Sequence, residues 1–216
     1  SYNKMFFAYL NTFKRLGLTA IPMAADTGPI GGDLSHEFVI LAETGESQIY
    51  SDKRIFDVDI KNYKNDDKSI DKLRKKYDEL YAVTDEKYKK ENFEKEVEKS
   101  NQLVAKGIEV GHIFYFGDKY SKPLKCSVDL KDGKKINVKM GSYGIGVSRL
   151  VGAIIEAKFK DNVMKWPNSI SPFDVVIIPS LNKNDKSNYL KAEKIYNSLL
   201  KNKLDVLFDD TDEHLS

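Results

Sequence analysis

A glycine-rich segment that ends in an arginine is the part of the sequence best suited to binding a ligand. Residues 141–149 read Gly-Ser-Tyr-Gly-Ile-Gly-Val-Ser-Arg and run into an apolar stretch with helical periodicity. Glycines such as Gly144 and Gly146 let a backbone approach a ligand closely, and a helix N-terminus favours anions. The guanidinium of Arg149 offers a planar fork to phosphate oxygens. The segment predicts a phosphate-binding site, with glycines that merely allow tight packing as the alternative.

The same segment superficially fits the Gly-x-Gly-x-x-Gly fingerprint of dinucleotide-binding proteins, but two features argue against that class. Arg149 occupies the third glycine position, where a bulky side chain prevents close packing of helix on strand. The preceding strands, predicted over 125–130 and 136–140, are joined by a turn at Asp132-Gly133 and are expected to pair antiparallel. The dinucleotide fold uses parallel strands instead.

Three further residues could do chemistry, and each has a structural alternative. Glu109 and His112 lie in the apolar run 108–116, which predicts a strand. A carboxylate such as Glu109 also suits a plain strand edge, and a histidine in an apolar strand is more often a core residue. Glu37 follows a Gly/Pro loop over 27–33 and could serve only to tie that loop to the sheet.

Length, charge and cysteine content exclude several classes of protein. The chain has 216 residues, 35 Lys+Arg, 33 Asp+Glu and a net charge of +2, so no global field attracts nucleic acid. With 41% hydrophobic residues it can form a core, and its single cysteine excludes an internal disulfide and a cysteine-rich zinc site. The longest apolar runs fall far short of the ~18 residues that a membrane helix needs. We therefore expect a cytoplasmic protein without membrane contact.

The elements that must position these residues are short strands and one early helix. A helix with a single apolar stripe is predicted over 2–17, and strands over 18–23, 38–41 and 48–50. The last two strands flank a tight turn and are predicted to form an antiparallel pair. The fold class expected for this part of the chain is α+β, built on an antiparallel sheet.

The most charged stretch is 61–102, with 12 Lys/Arg and 11 Asp/Glu among its 42 positions. Acidic residues cancel the basic ones almost one for one, which argues against a nucleic-acid-binding arm. The stretch predicts a solvated helical excursion from the main fold.

Proline-rich residues from Trp166-Pro167 to Ser171-Pro172 predict a rigid linker, which gives a first domain over 1–170 and a second over 171–216. In the second domain a strand, an amphipathic helix and a strand are predicted over 173–179, 185–202 and 204–208. This order predicts a parallel βαβ unit and an α/β fold. Because the first helix has no cap and the βαβ unit is alone, we expect an internal fragment of a longer protein.

Four colinear blocks resemble the signatures of bacterial-type prolyl-tRNA synthetases, which are class II aminoacyl-tRNA synthetases. Residues 140–150 are similar to motif 3 of that class, and 25–38 contain Asp-Thr-Gly-Pro-Ile-Gly-Gly and then Ser-His-Glu-Phe. Residues 106–121 contain Gly-Ile-Glu-Val-Gly-His-Ile-Phe and then Lys-Tyr-Ser, and 166–173 resemble the entry to the anticodon-binding domain. The resemblance covers nearly all of the chain except 61–102.

The resemblance implies an enzyme that condenses ATP and proline to prolyl-adenylate and then esterifies tRNA(Pro). It implies Mg²⁺ as cofactor, a homodimer in the full-length enzyme, and a class II catalytic domain followed by an anticodon-binding domain. Arg149 would hold the γ-phosphate of ATP, and Gly144 and Gly146 would lie beneath the adenylate. Glu109 would lie near ATP and its Mg²⁺, and His112 near both ATP and proline.

The resemblance also implies a proline pocket, in which Glu37 accepts the secondary ammonium of proline or orders the loop beside it. Ser142 stands where many bacterial members carry cysteine, so thiol-dependent features are not expected. The residues implied for this pocket are Gly31, Gly32, His36, Glu37, His112 and Ser142.

Two departures from the family pattern qualify this reading. Motifs 1 and 2 are not found, so the arginine that grips the α-phosphate is missing and the isolated fragment is expected to be inactive. Residues 61–102 occupy the place of a large editing domain, which predicts a short form without cis-editing of mischarged alanine. The alternative function is that of a non-catalytic, synthetase-like tRNA-binding or regulatory protein.

Overall fold

The computed structural model describes residues 1–180 and 187–211, and the chain divides into two compact units, Ser1–Lys165 and Trp166–Ser216. The helices are α1 (Tyr2–Arg15), α2 (Asp67–Asp78), α3 (Lys90–Glu96), α4 (Val147–Lys158) and α5 (Ser187–Lys201). The strands of the main sheet are β1 (Ala20–Ala24), β2 (Leu34–Leu41), β3 (Ser47–Asp52), β4 (Ala82–Thr84), β5 (Gln102–Gly117) and β8 (Met140–Ile145). The other strands are β6 (Ser127–Asp129), β7 (Lys135–Asn137), β9 (Phe159–Lys160), β10 (Val163–Met164), β11 (Val175–Ile177) and β12 (Val206–Phe208).

The 16-residue strand β5 organises the sheet of the first unit. Its strands follow the order β2-β1-β4-β3-β5-β8, and β2 also pairs with β5. All of these pairings are antiparallel except a single parallel bridge between β1 and β4. The expectation of an α+β fold with a largely antiparallel sheet is therefore confirmed for this unit.

The predicted antiparallel pair of β2 and β3 is wrong, because both strands pair with β5 instead. Gly107 is the point of exchange, since it lies opposite Leu41 of β2 and Ser47 of β3. A Cβ atom at Gly107 would overlap the side chain of Val39 and the backbone of Ile40, so glycine is required where the two strands meet β5.

Helix α1 covers one face of the sheet with aromatic side chains. Phe6, Tyr9 and Phe13 surround Phe38 of β2, with ring centroids 5.6, 5.1 and 5.7 Å from it. Phe6, Phe13 and Phe38 are at most 1% exposed. The i, i+3, i+7 spacing of the three helix residues places them on one stripe, which accounts for the predicted helix.

Residues 61–102 are not a solvated excursion, which corrects the sequence-based expectation. Helix α2 buries Ile70, Leu73 and Tyr77, and β4 pairs with β1 and β3 of the main sheet. Phe93 of α3 is also buried. The apolar residues of α2 recur at i, i+3 and i+7 among many charges, so the high average charge concealed an amphipathic helix.

The glycine-rich segment forms a strand and the start of a helix. Met140–Ile145 is β8, which pairs with β5, and α4 begins at Val147 immediately after it. The helical periodicity of the apolar stretch is therefore confirmed, but the stretch is only partly buried. Leu150 and Ile154 are buried, whereas three other apolar residues of the helix are exposed, namely Val147, Val151 and Ile155.

The remaining strands form small ladders. The predicted antiparallel hairpin is observed as β6 and β7, joined through the turn that contains Gly133. In the second unit, β11 and β12 pair in parallel, and Tyr189 and Tyr196 of α5 contact the ring of Phe208. The first two positions of the predicted helix, 185 and 186, lie outside the described residues. No helix within 1–180 and 187–211 combines the length and hydropathy needed to cross a membrane.

Truncation of Leu73 tests whether α2 belongs to the core. Leu73 is fully buried, so Leu73→Ala is expected to lower the free energy of unfolding by about 2–5 kcal/mol. Its neighbour Lys72 is exposed, and Lys72→Ala serves as the matched control with a change within about 0.5 kcal/mol. Equilibrium urea unfolding measures both, and equal small changes would show that α2 does not pack as described.

Candidate active site

A β-bulge in β5 brings two candidate site residues to the same face of the sheet. Phe38 lies opposite Gly111 and Val39 opposite Glu109, so Val110 is an extra residue in β5. In a regular strand, residues three apart such as Glu109 and His112 point to opposite faces. The extra residue restores them to one face, and the Glu109 carboxylate lies 3.3 Å from Nδ1 of His112.

His112 also joins this face to β2. It lies opposite Glu37 in the ladder, and its Nδ1 is 3.9 Å from the Glu37 carboxylate. Its Nε2 lies 2.5 Å from Oγ of Ser35, two residues before Glu37 on the same strand. In a neutral ring, Nδ1–H donates toward the carboxylates and Nε2 accepts from the serine hydroxyl. The imidazole is therefore fixed between a hydroxyl and two acidic groups.

Arg149 approaches the same group of side chains from α4. Its guanidinium donates to the backbone oxygen of Glu109 at 3.2 Å and lies 3.5 Å from the Glu109 carboxylate. The amide of Gly146, just before α4, donates to the bulge carbonyl of Val110 at 3.1 Å, which ties the helix start to the bulge. The Arg149 side chain is 57% exposed, so its remaining N–H groups are accessible to a ligand.

The pKa values of the two carboxylates in the cluster are shifted in opposite directions. Burial raises the pKa of Glu37, and the negative charge of Glu109 adds to that effect. The hydrogen bond with His112 holds the pKa of Glu109 below its usual value, with a smaller contribution from the positive charge of Arg149. Adjacent carboxylates with separated pKa values are typical of functional sites.

The cluster also has the makings of a cation site. Glu37, Glu109 and His112 each offer a ligand atom, and these atoms lie within 4.8 Å of one another. Mg²⁺ prefers oxygen ligands, which the two carboxylates supply and the imidazole does not. The oxygen atoms of Glu37 and Glu109 thus fit Mg²⁺, and His112 is better explained as the group that orients them.

A cleft of 490 Å³ adjoins the cluster on the side of α4. Glu109 and Arg149 belong to its wall, together with Ser47 of β3 and Ser148 of α4. This volume lies in the range of small-molecule sites. Glu46 and Glu156 also line the cleft, so an anionic ligand there would need cations beyond Arg149.

Comparison with curated proteins identifies relatives along the whole chain. It is 62% identical over 218 residues to a proline–tRNA ligase of Pelagibacter ubique. The alignment covers 100% of this chain and 49% of that protein. Proline–tRNA ligases of Parvibaculum lavamentivorans and Rhizobium etli are 51% and 53% identical over 99% of this chain. Over its whole length the chain is similar to proline–tRNA ligases.

The chain spans about half the length of the curated relatives it matches, with 48% and 49% of the Parvibaculum and Rhizobium etli proteins covered. No protein-family model matches it. The similarity of the whole chain to proline–tRNA ligases confirms the resemblance drawn from the four sequence blocks.

Most of the residues predicted for a proline–tRNA ligase site lie on or beside this face of the sheet. Gly144 lies opposite His112 and Ser142 opposite Phe114, so both β8 residues share the face of Glu37 and His112. A Cβ atom at Gly144 would meet nothing within 4 Å, which leaves open space above the strand there. Gly31 and Gly32 lie in the loop that precedes β2.

His36 does not join the predicted proline-binding residues. Strand alternation turns it to the α1 face, where it is 4% exposed. Oη of Tyr2 lies 2.6 Å from its Nδ1, and a guanidinium nitrogen of Arg74 lies 3.1 Å from its Nε2. Because a guanidinium only donates, Nε2 accepts and Nδ1–H donates to Tyr2. The prediction that His36 binds proline therefore lacks support in the structure.

Two members of this face were not singled out for a role from the sequence. Ser35 contacts His112, and the ring of Phe114 stacks on the imidazole with centroids 3.8 Å apart. Strand periodicity contained the signal, since Ser35 and Glu37 alternate with His36, and Phe114 follows His112 by two residues.

The buried His36 predicts a loss of stability in acid. Burial and the Arg74 charge lower its pKa to about 3, whereas an unfolded histidine titrates near 6.5. Between these values the unfolded chain binds a proton that the folded chain excludes, so stability falls as the pH decreases from about 6.5 to 3.

Urea unfolding at pH 7 and pH 5 measures this effect. The contribution of His36 should lower the folding equilibrium constant on the order of tenfold between these pH values. His36→Gln should remove that part of the pH dependence. An unchanged pH dependence in the variant would contradict a neutral, buried His36.

Proposed function

We propose that the full-length protein containing this chain is a proline–tRNA ligase that activates proline with ATP and transfers it to tRNA(Pro). The observation that carries the proposal is the grouping of Glu37, Glu109 and His112 with Arg149, in a chain 48–62% identical to proteins of that name. The group combines acceptors for a cationic amine with a donor for phosphate, as an amino-acid-activating site requires.

Proline would bind where β2, β5 and β8 present their shared face. Its secondary ammonium needs acceptors, and the Glu37 carboxylate, oriented by His112, supplies them. The open space over Gly144 and the small side chain of Ser142 leave room for the ring. The loop containing Gly31 and Gly32 would form a wall of this pocket, as the resemblance implies.

ATP would lie beside α4, with its phosphate tail near Arg149. The guanidinium is held at the helix start by the Glu109 backbone, so its fork is already oriented when a phosphate arrives. Gly146 would let the chain pass beneath the nucleotide without a side chain in the way. Carboxylates of Glu46, Glu109 and Glu156 line the cleft, which favours binding of a nucleotide that carries Mg²⁺.

The site would promote the reaction chiefly by positioning proline and ATP relative to each other. The carboxylate of proline attacks the α-phosphorus of ATP, a C–O–P bond forms, and the bond to pyrophosphate breaks. The substrate supplies its own nucleophile, so no activated serine or cysteine is required. Arg149 neutralises charge on the tail, and bound Mg²⁺ would supply further charge neutralisation at the phosphates. A ribose hydroxyl at the 3′ end of tRNA(Pro) then attacks the prolyl carbonyl of the adenylate, an ester bond forms, and AMP leaves.

The finer assignments belong to the same proposal. Residues 1–170 would be part of a class II catalytic domain, and 171–216 the start of an anticodon-binding domain of α/β type. The parallel pairing of β11 and β12 supports the second assignment. We also propose a cytoplasmic homodimer in the short form of the enzyme, which lacks a separate editing domain in place of 61–102.

A non-catalytic, synthetase-like protein is the less favoured alternative. Relatives that match nearly the whole chain, from Pelagibacter ubique, Parvibaculum lavamentivorans and Rhizobium johnstonii, are named proline–tRNA ligase. Glu109 also contacts both His112 and Arg149, although a protein that only bound tRNA would not require these contacts. Proline-dependent ATP–pyrophosphate exchange by the full-length protein distinguishes the two functions.

Replacing Arg149 with lysine tests its role in catalysis. Arg149→Lys keeps the charge but replaces a planar fork with a point charge, so kcat/KM for pyrophosphate exchange should fall. Loss of one preorganised donor costs about 2.7–4 kcal/mol, roughly a 10²–10³-fold decrease. Arg15→Lys, at an exposed position at the end of α1, is the matched control and should exchange normally. Wild-type rates in Arg149→Lys would refute the assignment.

A further inference from the structure

Two side chains that follow β5 donate to one backbone carbonyl in the glycine loop. Nζ of Lys119 lies 2.7 Å and Oη of Tyr120 2.5 Å from the oxygen of Ile30, across about 90 residues of sequence. Lys119 also lies 5.4 Å from the Tyr120 ring centroid, so the two donors form one unit. The function proposed above assigns no role to this Lys-Tyr pair.

The loop is shaped to fit these donors. Gly31 has φ +69°, and a Cβ atom there would overlap Nζ of Lys119. Gly32 has φ +121°, and a Cβ atom there would overlap the backbone oxygen of Tyr115. L-residues rarely adopt such φ values, so both positions require glycine for conformation, and Gly32 requires it for space as well. The conformation of the loop and the position of Lys119 therefore depend on each other.

A row of aromatic side chains connects Tyr120 to the candidate site. His112 stacks on Phe114 at 3.8 Å, and Phe114 lies 5.8 Å from Phe116 in a near-parallel arrangement. Tyr120 packs edge-on against Phe116 at 5.0 Å. The three β5 residues are two apart and share one face of the strand. The row thus runs from the imidazole beside Glu37 to the carbonyl of Ile30.

We propose that Lys119 and Tyr120 are positioning residues that hold the Gly28–Gly32 loop against the proline pocket. The inference rests on the proposed function. The backbone amide of Asp33 donates to the backbone oxygen of Tyr115 at 2.9 Å, and Asp33 leads directly into β2, so the loop adjoins the strand that carries Glu37. Lys119 is exposed and bonds a neutral carbonyl, so its loss should move the loop without unfolding the sheet.

Two substitutions in the full-length protein test the proposal. Lys119→Met removes the ammonium and keeps the chain length, and Tyr120→Phe removes only the hydroxyl. With both donors lost, the KM for proline in ATP–pyrophosphate exchange should rise about tenfold, as expected for loss of a charged hydrogen bond. The kcat and the KM for ATP should stay within about twofold. Lys122→Met, at an exposed lysine of the same turn, is the control and should leave all three unchanged.

Hydrogen–deuterium exchange over 28–34 gives a readout that does not depend on activity. The Gly31 amide donates to the oxygens of Thr27 and Gly28, so its exchange reports the loop conformation. In the double variant this exchange should accelerate, while exchange in β3 should not change. Unchanged loop exchange, or faster exchange with an unchanged KM for proline, would overturn the positioning role. Absence of proline-dependent activity in the wild type would instead refute the proposed function. The hydrogen–deuterium exchange data would still show whether Lys119 and Tyr120 hold the loop.

Discussion

Strand β5 contains one residue, Val110, that has no partner in β2, and the positions of the other site residues depend on this β-bulge. The bulge moves Glu109 to the face of His112, where their side chains meet at 3.3 Å. The Val110 carbonyl accepts the amide of Gly146, which continues the register of β5 with β8 and fixes the start of α4. That contact in turn places Arg149 against Glu109. The strand, its bulge and the start of α4 together bring the charged groups of the site into contact with one another.

Neighbouring residues of β2 have different roles because their side chains point alternately to the two faces of the sheet. His36 faces α1 and is kept neutral by burial beside Tyr2 and Arg74, whereas Glu37 faces the site. Arg74 comes from α2, within the highly charged 61–102 region, and its Nη1 donates to the Asp78 carboxylate. This segment therefore supports the back of the strand whose front carries Ser35 and Glu37. A rigid back is useful because site geometry depends on supporting contacts of this kind.

Local sequence patterns predicted the elements that depend on short stretches of sequence. They failed to predict which strands pair when the partners are distant in sequence. The stripe of α1, the β6–β7 hairpin and the glycine-arginine block could all be predicted from spacing. The exchange of β2 and β3 along β5 could not, because a turn at 43–47 suits a hairpin equally well. The bulge at Val110 adds no unusual residue to the sequence, and only pairing with β2 reveals it. Average charge concealed α2, since its buried residues are few and widely spaced.

We propose that one face of β2 binds proline while the other supports the fold. This can be measured with two adjacent glutamine variants, Glu37→Gln and His36→Gln, in proline-dependent ATP–pyrophosphate exchange by the full-length protein near neutral pH. Glu37→Gln should raise the KM for proline roughly 10- to 100-fold, as expected for a lost charged hydrogen bond. His36→Gln should leave that KM within about threefold. A normal KM in Glu37→Gln, or a larger increase in His36→Gln, would contradict the proposed roles of the two faces.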